Sequence, residues 1–200
     1  MAKLKNPNHP KKGSSTKSEP IRDPRYVAKI KAMLKPKPRD RLLFVMGVNS
    51  AYRINELLSL KVKHVIYGVP GHIIDLKQSK QNEYRAVMVN EAVWAAIAEW
   101  LDVHPDPRPE APLFVSGKTG DALTVPSAIA LVKSWCAEAG LIGSFASHTL
   151  RKTWAYSQRV HFKEPILLIS RALGHSSEEE TLAYLGLLPE EVRALYLNVV

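Results

Sequence analysis

Five side chains in this sequence have the types that phosphate chemistry needs. In chain order they are Arg53, His148, Arg151, His175 and Tyr184. Arginine presents a planar fork of donors to phosphate oxygens and stays charged at any working pH. A tyrosine oxygen is a usable nucleophile, although the pKa of free tyrosine is about 10. The ordered set indicates a phosphate clamp followed by a nucleophile.

The elements that must position Tyr184 follow from the residues before it. An apolar helix over 166 to 173 should stop at Gly174, because helices often end at glycine. His175 comes next, and a polar turn then starts a short helix with acidic residues in its first turn, where the helix dipole favours them. Tyr184 lies nine residues after His175, near the far end of that helix.

The His-x-x-Arg pair is predicted on one helix. His148 and Arg151 are three residues apart and therefore share a helix face, and Ser147 is the expected N-cap. Arg53 is expected at the start of another helix, directly after a buried one over 39 to 48. Taken alone, Arg53 is also explained as a surface arginine paired with Glu56, three residues on.

Residues 62 to 89 change from a helical to a strand-like period. The stretches 62 to 66, 72 to 76 and 84 to 89 contain alternating apolar and polar residues or runs of β-branched residues, and turn residues separate them. This pattern predicts a three-stranded antiparallel sheet. Because helical patterns fill most of the remaining chain, the predicted fold class is α+β and mainly helical.

The composition suits one globular domain, since 46% of the 200 residues are hydrophobic. No apolar run approaches the ~20 residues that a membrane span needs, and the N-terminus has no signal-peptide core. Cys136 is the single cysteine, which excludes an internal disulfide and a cysteine-based zinc site. We therefore expect a cytoplasmic protein with no membrane segment.

Gly117-Lys118-Thr119 resembles part of a nucleotide-binding loop, but the surrounding pattern does not fit one. No glycine lies five residues before Lys118, and no helix is predicted to begin at Thr119. We therefore expect no nucleotide cofactor.

The positive charge of the chain lies at its N-terminus. The formal net charge is +9, and residues 1 to 40 hold 12 Lys/Arg against 3 Asp/Glu, so the remainder is neutral. Residues 1 to 21 are expected to be a flexible basic arm, because they contain almost nothing apolar. Such an arm is typical of non-specific attraction to nucleic-acid phosphates, and equally of a solubilising tail.

The ordered residue set resembles the tyrosine recombinase (phage integrase) family, over roughly residues 25 to 198. Arg53, Glu56 and Leu57 match the family pattern around its first arginine, although Ala51-Tyr52 stands where Gly-Leu is usual. The resemblance implies a tyrosine recombinase-type catalytic domain over 22 to 200. Only about 22 residues precede the first predicted helix. We therefore expect the chain to lack the family's usual N-terminal core-binding domain.

The resemblance also implies a role for each matched residue. Tyr184 would be the nucleophile, and His148 would help to take its proton. Arg53, Arg151 and His175 would donate to the phosphate oxygens.

Further residues of the expected site lie around this set. Glu56 would hold the guanidinium of Arg53 in place. A lysine at the tip of the predicted hairpin would reach the DNA minor groove and protonate the leaving oxygen; Lys80 is the better match and Lys77 is its rival. The additional DNA contacts that we expect are Lys77, Lys152, Lys11 and Lys12.

The function implied by the resemblance is site-specific recombination, in which DNA strands are cut and rejoined through a 3′-phosphotyrosyl intermediate. The phosphotyrosyl link conserves the bond energy, so we expect no ATP, no metal and no other cofactor. The expected partner is double-stranded DNA, with self-association into a tetramer during recombination. Two alternatives are a type IB topoisomerase-like enzyme and a catalytically degenerate DNA-binding accessory factor.

Overall fold

The computed structural model describes residues 18–77, 84–187 and Leu197. Within them the chain forms eight α-helices and one two-stranded sheet, which confirms the mainly helical α+β class. The helices are α1 (Pro24–Met33), α2 (Pro38–Asn49), α3 (Ile54–Leu58), α4 (Glu91–Leu101), α5 (Val125–Glu138), α6 (Thr149–Tyr156), α7 (Ile166–Leu173) and α8 (Glu178–Leu185). The strands are β1 (Ile73–Lys77) and β2 (Tyr84–Met88).

Several helix ends lie where short-range signals predict them. Asp23 caps α1 by accepting a hydrogen bond from the Arg25 backbone N–H at 2.9 Å. Gly174 ends α7 in the left-handed conformation, with φ of 65°. The Ser177 hydroxyl then accepts from the Glu180 backbone N–H at 3.1 Å and starts α8. These caps make the chain turn sharply between α7 and α8.

Strands β1 and β2 form an antiparallel hairpin. Its register runs from the pair Ile73–Met88 to the pair Lys77–Tyr84. Ile74 faces the core, and its carbonyl oxygen accepts a hydrogen bond from the Tyr52 hydroxyl at 2.7 Å. The sheet is thereby tied to the turn that leads into Arg53.

The predicted third strand is wrong. Residues Val62–His64 form a 3₁₀ turn instead. Val62 and Val65 are both buried, and their spacing of three residues suits a helical turn rather than a strand. The turn is closed by His64, whose Nδ1 accepts from the Lys61 backbone N–H at 2.9 Å.

Helix α2 lies at the centre of the main hydrophobic core. Its residues from Leu42 to Val48 are all buried, and it packs against α4 and α6. The ring of Phe44 meets the ring of Trp135 on α5 edge-on, with centroids 5.9 Å apart. This all-round burial explains the nearly continuous apolar run of α2.

Helix α6 is held between two apolar clusters. Leu150 packs into the main core, whereas Ala155 and Tyr156 pack into a smaller cluster with residues of α7 and α8. Ile169, Leu173 and Leu185 belong to that smaller cluster. The position of α6 therefore depends on packing contacts from both sides.

Residues 18 to 21, at the end of the predicted arm, pack on the domain. Ile21 is 1% exposed, and its backbone N–H donates to Thr153 Oγ1 of α6 at 2.8 Å. The Glu19 backbone N–H donates to the Ser144 carbonyl oxygen at 2.7 Å. The rest of the arm, residues 1–17, lies outside the described residues.

Gly47 allows α2 and α6 to approach closely. A Cβ atom at this position would lie 2.4 Å from Leu150 Cδ1 and 2.8 Å from Leu150 Cβ. Because Leu150 Cβ is attached directly to the α6 backbone, an added methyl group cannot be accommodated by a side-chain rotation alone.

Gly47→Ala should therefore destabilise the protein. Overpacking of a core costs about 1–3 kcal/mol, which exceeds the gain of up to about 1 kcal/mol in helix propensity. Urea unfolding should show a lower midpoint than that of the wild type. Gly117→Ala is the matched control, since nothing lies within 4 Å of a Cβ there. A Gly47→Ala variant as stable as wild type would contradict the close packing of α2 on α6.

Candidate active site

Helix α6 carries His148, Arg151 and Lys152 at its N-terminal end. His148 is itself the residue before the first helical position, so the predicted cap at Ser147 is wrong. Within the described part of the chain, the start of α6 has no side-chain capping bond, and the Thr149 hydroxyl instead accepts from the Ala146 backbone N–H at 2.9 Å, in the turn ahead of the helix. These three predicted site residues thus lie in the first turn of α6 or directly before it.

Arg151 is buried, with 2% of its surface exposed. Its Nη2 group donates to the carbonyl oxygen of Leu173, the last residue of α7. The last carbonyls of a helix have no partner within the helix, so a guanidinium is well suited to bind one. Arg151 therefore connects α6 to the end of α7, directly before Gly174 and His175.

Arg53 is the N-cap residue of α3 and is held by Glu56. Glu56 Oε2 accepts from the Arg53 backbone N–H at 2.6 Å, and Oε1 lies 3.1 Å from Arg53 Nη1. Glu56 is 7% exposed, whereas about a third of the Arg53 side chain, 34%, is exposed. The guanidinium is thus anchored at one edge and remains accessible at the other.

Tyr184 lies on α8 and faces the start of α6. Its hydroxyl oxygen is 3.3 Å from His148 Nδ1. When the imidazole is neutral and carries its proton on Nε2, Nδ1 accepts the hydrogen bond that the phenol donates. The rings of His148 and His175 meet the phenol ring edge-on, with centroids 6.1 and 5.0 Å away.

His175 is oriented by a residue that our sequence analysis did not single out. Its Nδ1 atom is 2.9 Å from the hydroxyl oxygen of Thr181, and Thr181 is fully buried on α8. Thr181 lies three residues before Tyr184, so both side chains share one face of the helix. That spacing is the signal that identifies Thr181 from sequence.

Burial and positive charge act in opposite directions on Tyr184. Burial raises the pKa of Tyr184 to about 12, and the guanidiniums of Arg151 and Arg53 partly oppose that rise. The tyrosine is therefore protonated at neutral pH, and its use as a nucleophile requires a proton acceptor.

His148 is in the right state to be that acceptor. Burial lowers the pKa of His148, and the positive charges of Arg151, Lys152 and Arg53 lower it further. The ring is therefore neutral at physiological pH, and in the tautomer protonated on Nε2 it directs a lone pair at the phenol. The arrangement can deprotonate a tyrosine beside a cluster of cations.

Not all of the predicted site residues lie in this cluster. Lys80, Lys11 and Lys12 are outside the described residues, and of Lys77 only the backbone is described, at the end of β1. Lys152, which we expected to contact DNA, is buried against the ring of Tyr184. Lys152 lies four residues after His148, and this spacing predicts that both side chains lie on the same face of α6.

The described residues hold neither a metal-binding cluster nor a membrane-spanning helix. No group of three or more His, Cys, Asp or Glu within 18–77 and 84–187 could hold a metal ion. In the same part of the chain, every helix is too short or too polar to cross a membrane.

Comparison with known proteins identifies close relatives in sequence. The model of the Phage integrase family matches residues 24–191. The probable integrase/recombinase YoeC of Bacillus subtilis (strain 168) is 31% identical over 179 residues, which cover 89% of this chain and 94% of that protein. The tyrosine recombinase XerC of Caldanaerobacter subterraneus subsp. tengcongensis is 27% identical over 157 residues, which cover 74% of this chain and 41% of that protein.

Solved structures share the fold. The XerA recombinase superposes with a TM-score of 0.72 at 21% identity, over 89% of this chain and 64% of that one. XerH, bound to its palindromic difH substrate after cleavage, gives 0.68 at 24% identity, over 92% of this chain and 54% of that one. The chain thus spans less than two thirds of these structures. Because the family model matches most of its length, the chain belongs to the phage integrase, or tyrosine recombinase, family.

Proposed function

We propose that this protein is a site-specific DNA recombinase that cleaves and rejoins strands through a 3′-phosphotyrosyl intermediate. One observation carries the proposal: the Tyr184 hydroxyl lies 3.3 Å from His148 Nδ1. The same hydroxyl is close enough to Arg151 and Arg53 for both guanidiniums to lower its pKa. The proposed nucleophile and its proposed proton acceptor are thus in contact, and two guanidiniums act electrostatically on the same phenol.

In the proposed step, Tyr184 Oη attacks the phosphorus of a DNA backbone phosphate. A P–O bond to the tyrosine forms while the bond to the 5′ oxygen breaks, and the phenol proton passes to His148 Nδ1. Rejoining is the reverse, because the 5′ hydroxyl attacks the phosphotyrosine and releases the phenol. No bond energy is lost, so the cycle consumes no nucleotide.

Hydrogen-bond donors of the site are proposed to stabilise the charge that develops on the non-bridging oxygens. Arg53, Arg151 and His175 are the proposed donors, and a preorganised donor of this kind contributes about 3 kcal/mol. Glu56 keeps the Arg53 guanidinium in place through its two contacts. The acid for the leaving oxygen is proposed to be Lys80, with Lys77 as the alternative.

The partners that we infer are double-stranded DNA and further copies of this chain. XerH in the comparison is bound to its difH substrate, and a lambda integrase is a tetramer on a Holliday junction. By analogy, recombination here would use four protomers and two duplexes in the cytoplasm. The basic residues of the N-terminal arm, including Lys11 and Lys12, would add non-specific attraction to DNA phosphates.

Covalent capture tests the proposed function directly. The protein is incubated with nicked suicide DNA that carries candidate sites from around its gene, and denaturing gels reveal any adduct. Mass spectrometry of the digested adduct should place the nucleotide remnant on Tyr184. An adduct on another residue would contradict the assignment of the nucleophile. DNA binding without any adduct would favour an accessory DNA-binding protein.

The role of His148 predicts an acid limb in the pH dependence of cleavage. The pKa of His148 lies below its ordinary value of 6.5, so the ring should stay neutral and active down to that lowered pKa. Below it the ring is protonated and cannot accept the phenol proton, so the rate falls. The measurement is the single-turnover cleavage rate at saturating DNA across mildly acidic to neutral pH.

His148→Asn should lower the neutral-pH rate by about 10²-fold and remove the acid limb. His161→Asn is the matched control, because the His161 ring bonds instead to the Arg22 carbonyl oxygen at 3.0 Å. It should keep the wild-type profile. An acid limb that persists unchanged in His148→Asn would assign the titration to another group.

A further inference from the structure

The ammonium of Lys152 lies over the face of the Tyr184 ring. Nζ is 4.6 Å from the ring centroid, inside the ~6 Å range of cation–π contacts. Lys152 is 8% exposed, so this contact is largely shielded from water. Because His148 and Lys152 are four residues apart on α6, both side chains reach α8 from the same face.

This geometry differs from that of a lysine that contacts DNA phosphates. Such a lysine keeps its ammonium in water and buries only its aliphatic stem. Lys152 instead directs its ammonium at the aromatic face of Tyr184. The rings of His148 and His175, by contrast, contact the tyrosine ring edge-on. The phenol ring is thus bounded by two imidazoles and one cation.

We propose that Lys152 is a positioning residue for the nucleophile, which holds the Tyr184 ring and favours the phenolate over the phenol. This role of Lys152 adds to the proposed recombinase function. Only the expected effect of Lys152 on the cleavage rate depends on that function. The contact itself is a property of the DNA-free protein.

The physical reason is that the contact becomes stronger as the proton leaves. A neutral phenol attracts a cation through its ring quadrupole, whereas a phenolate carries a full negative charge that is shared with the ring. An interaction that is stronger in the reacting state than in the resting state raises the rate. In this proposal Lys152 acts in the same direction as Arg151 and Arg53, whose charges oppose the rise that burial causes in the pKa of Tyr184.

The other charged groups around the phenol act on the same equilibrium. Both α6 and α7 pack against α8. The charged and histidine side chains on and around these elements are His148, Arg151 and Lys152 of α6, Arg171 of α7, which is exposed, His175 ahead of α8, the exposed Glu178, Glu179 and Glu180 in the first turn of α8, and Arg53 with Glu56 at the start of α3. Because these neighbours remain in every variant below, a shift can be assigned to Lys152.

The first experiment measures the pKa at position 184 without DNA. Fluorotyrosine is incorporated at position 184, because ring fluorination lowers the phenol pKa into a range in which it can be titrated. Its ¹⁹F signal is then followed against pH. Lys152→Met should raise that pKa by about one unit, and Lys152→Arg should largely restore it. Lys118→Met removes an exposed lysine and should change nothing. An unchanged pKa in a folded Lys152→Met protein overturns the proposal.

Folding of each variant is checked by thermal unfolding. Lys152→Gln provides a second neutral side chain of similar length if methionine disturbs the packing. The same rise in the pKa at position 184 is expected of it, and no rise in the folded Lys152→Gln protein would equally overturn the proposal.

The second experiment measures single-turnover cleavage against pH at saturating DNA. Lys152→Met should be about tenfold slower near neutral pH. The deficit should stay the same into mildly alkaline pH, because the pKa of Tyr184, about 12, lies well above that range. A normal rate with weaker, less salt-dependent DNA binding would identify Lys152 as a phosphate contact and overturn the proposal. Wild-type protein that forms no adduct would contradict the proposed function, whereas the fluorotyrosine titration would still decide the role of Lys152.

Discussion

Replacing Tyr184 by phenylalanine should abolish the covalent protein–DNA adduct and lower strand cleavage by about 10⁴-fold or more, because no neighbouring group can substitute for the lost oxygen. The ring itself remains, so its contacts with His148, His175 and Lys152 should persist. DNA affinity should therefore stay close to that of the wild type. Single-turnover cleavage and gel-shift titrations on the same DNA separate these two effects.

Tyr156→Phe is the matched control for this substitution. Tyr156 lies at the end of α6 and packs into the smaller apolar cluster, where it contacts His161 and Arg22. The control should form the adduct at close to the wild-type rate. Adduct formation by Tyr184→Phe would show that another residue attacks the phosphate.

Arg151→Ala should lower the cleavage rate at saturating DNA by about 10³-fold. The substitution removes a guanidinium that is fixed in the site by its bond to the Leu173 carbonyl oxygen. Arg151→Lys keeps the charge but loses the planar fork, so it should recover only part of the rate. The measurement is again the single-turnover cleavage rate, and the Tyr184→Phe variant gives the background rate.

Two controls separate chemistry from folding for Arg151. Loss of the bond to Leu173 should cost about 1.5–3 kcal/mol of unfolding free energy, because its donor is charged, and urea titration can measure this cost. Arg108→Ala removes an exposed arginine that pairs with Asp106 and should leave the cleavage rate unchanged. Cleavage by Arg151→Ala within tenfold of the wild-type rate would exclude Arg151 as a principal phosphate-binding group.

Local signals were sufficient wherever a few neighbouring residues decide the conformation. Asp23-Pro24 starts α1, Gly174 ends α7 and Ser177 starts α8, each through a bond or a dihedral angle within the segment itself. The order and spacing of the reactive residues also sufficed to identify the family. These features depend on sequence neighbours, so no knowledge of the packing is needed to predict them.

Local signals failed where burial is imposed from elsewhere in the chain. Residues 62 to 66 have the β-branched composition of a strand, but the domain buries Val62 and Val65 on one side and the chain turns. Ile21 follows a polar, basic stretch, yet Thr153 and the surrounding core bind it to the domain. The residue types of a segment do not indicate which distant part of the chain will pack against that segment.

The amino-acid order alone accounts for the family and for the caps of α1, α7 and α8, because each depends on short-range features. The relations among the side chains of the site are decided by packing. Tyr184 contacts His148, which lies 36 residues away in the sequence, and Lys152 contacts the tyrosine ring, because α6 packs against α8 and both contribute to the smaller apolar cluster. The contacts of His148 and Lys152 with Tyr184, on which their proposed roles rest, are therefore properties of the tertiary structure.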